Sequence, residues 1–175
     1  MRIEKRKDNI CTWKYADIKN GSLVRYNNML CMVCGNDKTR KEGYLAVLET
    51  GRLILVHDKN IKFDVISNGV TVETAFNLET YCYGGDHEGL EVFSLRNLMP
   101  GTCFMNNHWR TYLKLDYGDK DKAVYRSLES RGFCMDSNML CAVGLYLLTG
   151  EIEVMAVNDT GSVLRLDSKL LVPEI

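Results

Sequence analysis

At 175 residues, 46% of them apolar and only two of them proline, the chain holds material for one ordinary domain or two small ones, and it can bury a core without help from metals or disulfides. The formal net charge of −1 gives no whole-molecule field toward nucleic acid or anionic lipid. No run approaches the roughly 20 apolar residues of a membrane-spanning helix, no apolar signal segment is seen in the charged stretch from Met1 to Asn9, and the seven cysteines, odd in number and irregularly spaced, fit reduced thiols in a cytosolic compartment, expected to be that of a host cell.

In chain order, Arg2, Lys5, Arg6 and Lys7 gather against Glu4 in a segment that reads as a solvated end. Ile10, Thr12 and Lys14 then alternate with Cys11, Trp13 and Tyr15, the pattern of a short strand with one aromatic face. Trp13 and Tyr15 are expected to cover an open end of the first module. Asp17-Ile18-Lys19-Asn20-Gly21 is a turn, and Leu23–Tyr26 and Met29–Val33 are strands on either side of Asn27-Asn28. Asparagine is one of the few residues that tolerate the positive φ of a two-residue type I′ hairpin loop. A charged loop from Gly35 to Gly43 follows, then a hairpin of Tyr44–Leu48 and Arg52–His57 turned by Glu49-Thr50-Gly51, then a strand over Ile61–Ile66. That density of short strands predicts a small closed barrel.

Val70 to Leu95 is less regular and reads as a connecting β-hairpin, because its flanks are too apolar to remain in water. An apolar run, Trp109 to Leu115, opens the next set of strands, and a long loop follows from about Asp116 to Leu140. Inside that loop Val124 and Leu128 stand at i,i+4, Asp119 can cap a helix start, and Gly132 follows its end, which predicts one helix near 119–131. Cys141–Leu148 and Glu151–Val157 form a hairpin around Thr149-Gly150, and Val163–Leu166 and Leu170–Val172 close the chain.

The same words recur in the two halves. Asp17-Ile18-Lys19-Asn20-Gly21-Ser22-Leu23-Val24 is echoed by Asn97-Leu98-Met99-Pro100-Gly101-Thr102-Cys103-Phe104, and Leu48-Glu49-Thr50-Gly51 by Leu147-Leu148-Thr149-Gly150. Internal repetition decides architecture before any single residue does. The expected fold is all-β: two tandem Src-homology-3-like small barrels, a first module over 1–66, a connecting hairpin region over 67–95, and a second module over 96–175 carrying the inserted helix. Together with Tyr112-Leu113-Lys114-Leu115 and Val172-Pro173, these words resemble small β-barrel proteins common in tailed-phage genomes. The resemblance lies in turn signals and implies an accessory role, some phage accessory proteins acting against host defence. The long helical insertion departs from that pattern, so no binding site carries over through it.

Few groups carry a catalytic or metal-binding signature. Cys31-Met32-Val33-Cys34 has the bare spacing of a zinc knuckle or redox pair, but a strand places residues three apart on opposite faces, so two buried cysteines are expected. His57, His87 and His108 are scattered outside any paired-ligand spacing. No enzyme activity, metal or cofactor is expected.

Binding is better motivated. Asn107, His108, Trp109 and Arg110 place an imidazole, an indole and a guanidinium beside a hairpin turn, groups that stack on bases or anchor protein interfaces. On the predicted helix, Lys120, Lys122, Arg126 and Arg131 with Tyr125 form the other candidate contact. The leading expectation is a non-catalytic phage accessory protein in the host cytoplasm that engages a host protein, a counter-defence inhibitor among the options. The alternatives are a sponge for a nucleotide signal and a structural or assembly protein of the virion. No membrane partner is expected, and the edge strands suit pairing of a second copy into a homodimer.

Overall fold

The structure is a computed structural model that describes residues 2–4, 11–74, 91–93, 95, 98–105, 110–116, 122–133, 141–156, 163–165 and 168–171. Local turn chemistry places its strands. Asn27 and Asn28 adopt φ of +47° and +61°, the two left-handed residues of a type I′ loop. They pair β3 (Leu23–Tyr26) with β4 (Met29–Cys34) in the register Leu23↔Met32 to Tyr26↔Met29. Before them lie β1 (Arg2–Glu4), β2 (Cys11–Lys14) and a single 3-10 turn over Tyr15–Asp17. After them come β5 (Gly43–Val47), β6 (Leu53–Val56), β7 (Lys62–Ser67) and β8 (Thr71–Thr74). The second half holds β9 (Glu91–Phe93), β10 (Cys103–Met105), β11 (Thr111–Lys114), α1 (Lys122–Ser130), β12 (Cys141–Tyr146), β13 (Glu151–Ala156), β14 (Val163–Arg165) and β15 (Ser168–Leu171).

The repeat is a repeat of topology. One antiparallel sheet runs β2-β7-β3-β4-β5-β6, and the other runs β9-β14-β10-β11-β12-β13 when read in the same direction. Equivalent backbone bonds recur as well. Gly21 N–H donates to Val33 O at 2.8 Å and Gly101 N–H to Lys114 O at 2.9 Å, while Gly51 and Gly150 each donate to the carbonyl four residues earlier at 2.8 Å. The class is all-β, with one α-helix among the described residues. Each half pairs described strands into a six-stranded antiparallel sheet, and closure of that sheet into a barrel is not among the pairings of the described residues. The strands flanking 75–90 belong to different sheets: β8 pairs antiparallel with β15, which also pairs parallel with β1, and β9 pairs with β14.

The repeated turns meet one another. A Cβ on Gly51 would overlap the Lys114 carbonyl oxygen and lie 2.6 Å from Gly101 N, and a Cβ on Gly101 would lie 2.6 Å from Glu49 O. Reciprocally, a Cβ on Gly150 would overlap Gly21 N and lie 3.0 Å from Val33 O. Each half thus presses its hairpin glycine against the turn glycine of the other, a pseudo-twofold arrangement that leaves no room for a Cβ at Gly51, Gly101 or Gly150 and only a tight one at Gly21. Their φ values, +74° to +90°, favour glycine at all four.

Strand periodicity then sorts the side chains. Along β4, Leu30, Met32 and Cys34 enter a core that also takes Leu23, Tyr44, Ala46 and Leu48 from the first sheet and Cys103, Met105, Leu113, Leu115, Val143, Leu145 and Leu147 from the second. Cys31 and Val33 point the other way, into a core of the first half alone with Tyr15, Val24, Leu45, Val47 and Phe63. A smaller cluster of Leu95, Leu98, Phe104 and Tyr112 is its counterpart in the second half. The helix sits inside the expected 119–131 and contributes Val124 and Leu128, both fully buried, to the shared core. Each such side chain stabilises the fold by roughly 1.5–3 kcal/mol.

Thermal denaturation of glycine-to-alanine variants checks the reciprocal docking. Gly21→Ala, whose nearest neighbours would lie at 3.3 Å, is expected to lose about 1–2 kcal/mol from its backbone conformation. Gly51→Ala must in addition push apart two backbone segments and is expected to lose more, about 3 kcal/mol; equal melting temperatures for the two would contradict the contact.

Candidate functional site

The helix expected to present a binding surface is tied to the first half by its C-terminal end. Arg131 donates from Nη1 to Gly35 O at 2.7 Å and from Nη2 to Glu42 O, and its guanidinium lies 4.5 Å from the centre of the Tyr44 ring. Tyr44 OH and Ser127 Oγ share a hydrogen bond of 2.6 Å in the interior, and Ser127 donates a longer one, 3.4 Å, to Glu42 Oε2. The short loop of the first half is thereby the seat of the helix inserted in the second. Of the candidate residues here, Arg131 is engaged within the chain, Tyr125 is half-buried, and Arg126 is exposed beside Glu129. Lys122 is described in its backbone alone, as the first helical residue, and Lys120 lies outside the described residues.

Arg110 stands in a different cluster. Its guanidinium lies 5.1 Å from the Tyr146 ring centre and 3.6 Å from Glu153 Oε1, and Glu153 Oε2 accepts a hydrogen bond of 2.7 Å from Tyr112 OH. Tyr112 stacks on Phe104 at 5.5 Å and meets Tyr146 at the same distance. Burial, followed by the Glu153 carboxylate, pushes the Tyr112 phenol up to about 12. Register makes Met29, Cys31, Val47 and Ile54 the first-half counterparts of Arg110, Tyr112, Tyr146 and Glu153, so an apolar patch in one half is a polar aromatic one in the other. Asn107, His108 and Trp109, which precede Arg110, lie outside the described residues.

Sequence reasoning gave no site to the surface around β2. Tyr15 is fully buried, with its hydroxyl donating to Tyr44 O at 2.8 Å and lying 3.1 Å from Cys34 O, the alternative acceptor for its one proton. Trp13, expected beside it as a cover, is instead 50% exposed. The two residues lie on one face of an ideal strand, but the 3-10 turn that begins at Tyr15 redirects the chain between them. Trp13 stands beside a cavity of about 230 Å³ lined also by Cys11, Asp17, Ile18, Lys19, Ser22, Val65 and Asn68. Ile18, Ser22 and Val65 are buried and form its floor, while Asp17, Lys19 and Asn68 are exposed at its rim. The sequence signal that could have found it is an indole on a four-residue strand at the end of a sheet.

The remaining reactive groups are committed to the interior. Cys31 and Cys34 lie in different cores, and burial raises both thiols, Cys31 to about 12, opposite to the shift that makes a thiol nucleophilic. Lys114, half-buried and lowered by that burial, donates to Leu95 O at 2.8 Å and to Leu98 O. In the first half the equivalent carbonyls, Tyr15 O and Ile18 O, accept from Asn36 Nδ2 at 2.8 and 2.7 Å. Among the described residues no group of three or more histidine, cysteine or acidic side chains is placed to hold a metal ion, and no helix is long and apolar enough to cross a membrane.

No family model, curated protein or solved structure matches this chain.

The Cys31 thiol makes one pH dependence testable. Its folded value lies above its ordinary 9.0, so the stability it contributes is complete below about pH 9 and is lost as pH rises toward 12, where the unfolded thiol is ionised and the folded one is not. Urea unfolding of Cys31→Val across pH 8 to 11 is expected to show a shallower alkaline loss, by up to about 1.4 kcal/mol per pH unit; parallel curves for the two proteins would contradict it.

Proposed function

We propose that the chain is a non-catalytic binding protein, a phage accessory protein that engages a host protein in the host cytoplasm, with inhibition of a defence component as the specific role. The observation that carries the binding reading is the half-exposed Trp13 on an end strand beside an open, mostly apolar cavity. Exposed tryptophan next to a pocket is the type of anchor on which protein interfaces concentrate their energy. The phage origin and the host partner are supported by the turn words shared with tailed-phage barrel proteins.

Size favours a protein partner over a nucleotide signal. A space of about 230 Å³ is below the roughly 300–1,000 Å³ usual for small-molecule sites. Among the described residues its rim offers one carboxylate and one ammonium, Asp17 and Lys19, and no guanidinium to grip a phosphate. The outer face of α1, with Arg126 and Glu129 exposed, is a second polar surface available to the same partner.

Affinity purification of the tagged chain from infected host cells, followed by reconstitution with the purified candidate, tests the reading. A host protein that forms a complex of defined stoichiometry with the purified chain is the expected result. Recovery of virion components alone would move the chain to the structural class. Deleting the helix is a poor contact test, because Val124 and Leu128 belong to the shared core; Arg126→Glu changes only an exposed position.

A further inference from the structure

We infer that β2 is a docking edge for an extended segment of the partner protein, which adds to the sheet as a further strand, seats one large apolar side chain in the Trp13 cavity and sets an acidic side chain against Lys14 and Lys62. The inference rests on the protein-binding reading above and gives that partner a chemistry.

Among the described residues β2 ends its sheet, and it pairs with β7 in the register Cys11↔Val65, Thr12↔Asp64, Trp13↔Phe63 and Lys14↔Lys62. In the same register Tyr15 N–H donates to Ile61 O at 2.8 Å. Bonding alternates along an antiparallel ladder, so the N–H and C=O groups of Cys11 and Trp13 face β7 while those of Thr12 and Lys14 face away from it. All four residues of β2 are exposed. An edge of this kind is a template for another strand, with affinity from main-chain bonds and specificity from pockets for alternate side chains.

Cys11 and Trp13 share a face and line the cavity, which therefore opens beside the edge. An apolar cavity of roughly 150 Å³ takes benzene, so about 230 Å³ suits one aromatic ring or one large aliphatic side chain. Thr12 and Lys14 are on the other face. There Thr12 Oγ1 donates to Asp64 at 3.0 Å, but Lys14 stands directly opposite Lys62, both exposed and neither in an ion pair among the described residues. Like charges in cross-strand register destabilise a sheet, and an acidic residue on an added strand would relieve them. A strand pairing with β2 carries its apolar residue opposite Trp13 and its acidic residue opposite Lys14, hence an alternating apolar–acidic sequence.

Isothermal titration with a short capped peptide alternating glutamate with leucine and phenylalanine tests the assignment. Thr12→Pro is the sharpest variant, because it removes an N–H that faces away from β7 and leaves that ladder intact. Binding of the peptide is expected to weaken at least about tenfold in Thr12→Pro and in Trp13→Ala, with unchanged far-UV circular dichroism, and to be unaffected in Thr12→Val. The lysine-for-glutamate peptide and a peptide N-methylated on its pairing face are expected to bind at least about tenfold more weakly than the parent. Affinity that survives Thr12→Pro or N-methylation, or no binding up to about 1 mM peptide, would overturn the docking edge. A dimer in light scattering that Thr12→Pro dissolves would also overturn it, by giving the edge to a second copy. If Thr12→Pro still recovers the host protein that the wild-type chain recovers, the binding function stands and this edge is not its site.

Discussion

Everything in this molecule depends on backbone meeting backbone where its two halves cross. Gly51 lies against Gly101, and Gly150 against Gly21, at separations that leave no room for a Cβ at Gly51, Gly101 or Gly150. That approach brings the two sheets close enough to share one core, with Met32, Tyr44 and Leu48 from one half against Leu113, Leu115 and Leu145 from the other. Asp116 N–H then donates to Gly51 O at 2.7 Å and Leu53 N–H to Asp116 O at 3.4 Å, so the join continues as backbone hydrogen bonds past the glycines. The end of the first sheet at β6 is engaged by this join and by α1. The opposite end, β2, has no further strand paired to it among the described residues, and the candidate docking surface follows from where the halves meet.

Between the two halves, turns are kept and side-chain chemistry changes. The carbonyls of Tyr15 and Ile18 are satisfied by Asn36, and those of Leu95 and Leu98 by Lys114, from a different place in the chain. Buried carbonyls need a donor but do not dictate which residue brings it. Where the first half has Cys31 and Val47, the second has Tyr112 and Tyr146 with Glu153 and Arg110 around them. The short loop over 35–42 and the long one with α1 are likewise complementary, since Arg131 from the second takes carbonyls from the first. The insertion therefore has an architectural role in addition to any surface it offers.

Much of the local structure was legible in the residues. Asn27-Asn28 announced a type I′ hairpin, the i,i+4 pair Val124 and Leu128 announced the helix, and strand periodicity put Cys31 and Cys34 on opposite faces. Period-two patterning tells which residues share a face but not what covers that face, so neither the shared core nor the meeting of the repeated glycines could be read from it. The same gap explains the site. A strand pattern groups Trp13 with Tyr15, but the one-turn helix at Tyr15 sends one ring inside and leaves the other in solvent. Arg131 looked like a surface cation because its acceptors, Gly35 and Glu42, lie far away in sequence.

The central claim is that the two sheets form one energetic unit joined by glycine contacts and a common core. Differential scanning calorimetry of the full chain tests it most directly. One transition is predicted, with the calorimetric enthalpy equal to the van't Hoff enthalpy. Two resolved transitions, or a calorimetric enthalpy about twice the van't Hoff value, would show the halves unfolding independently and would contradict the account.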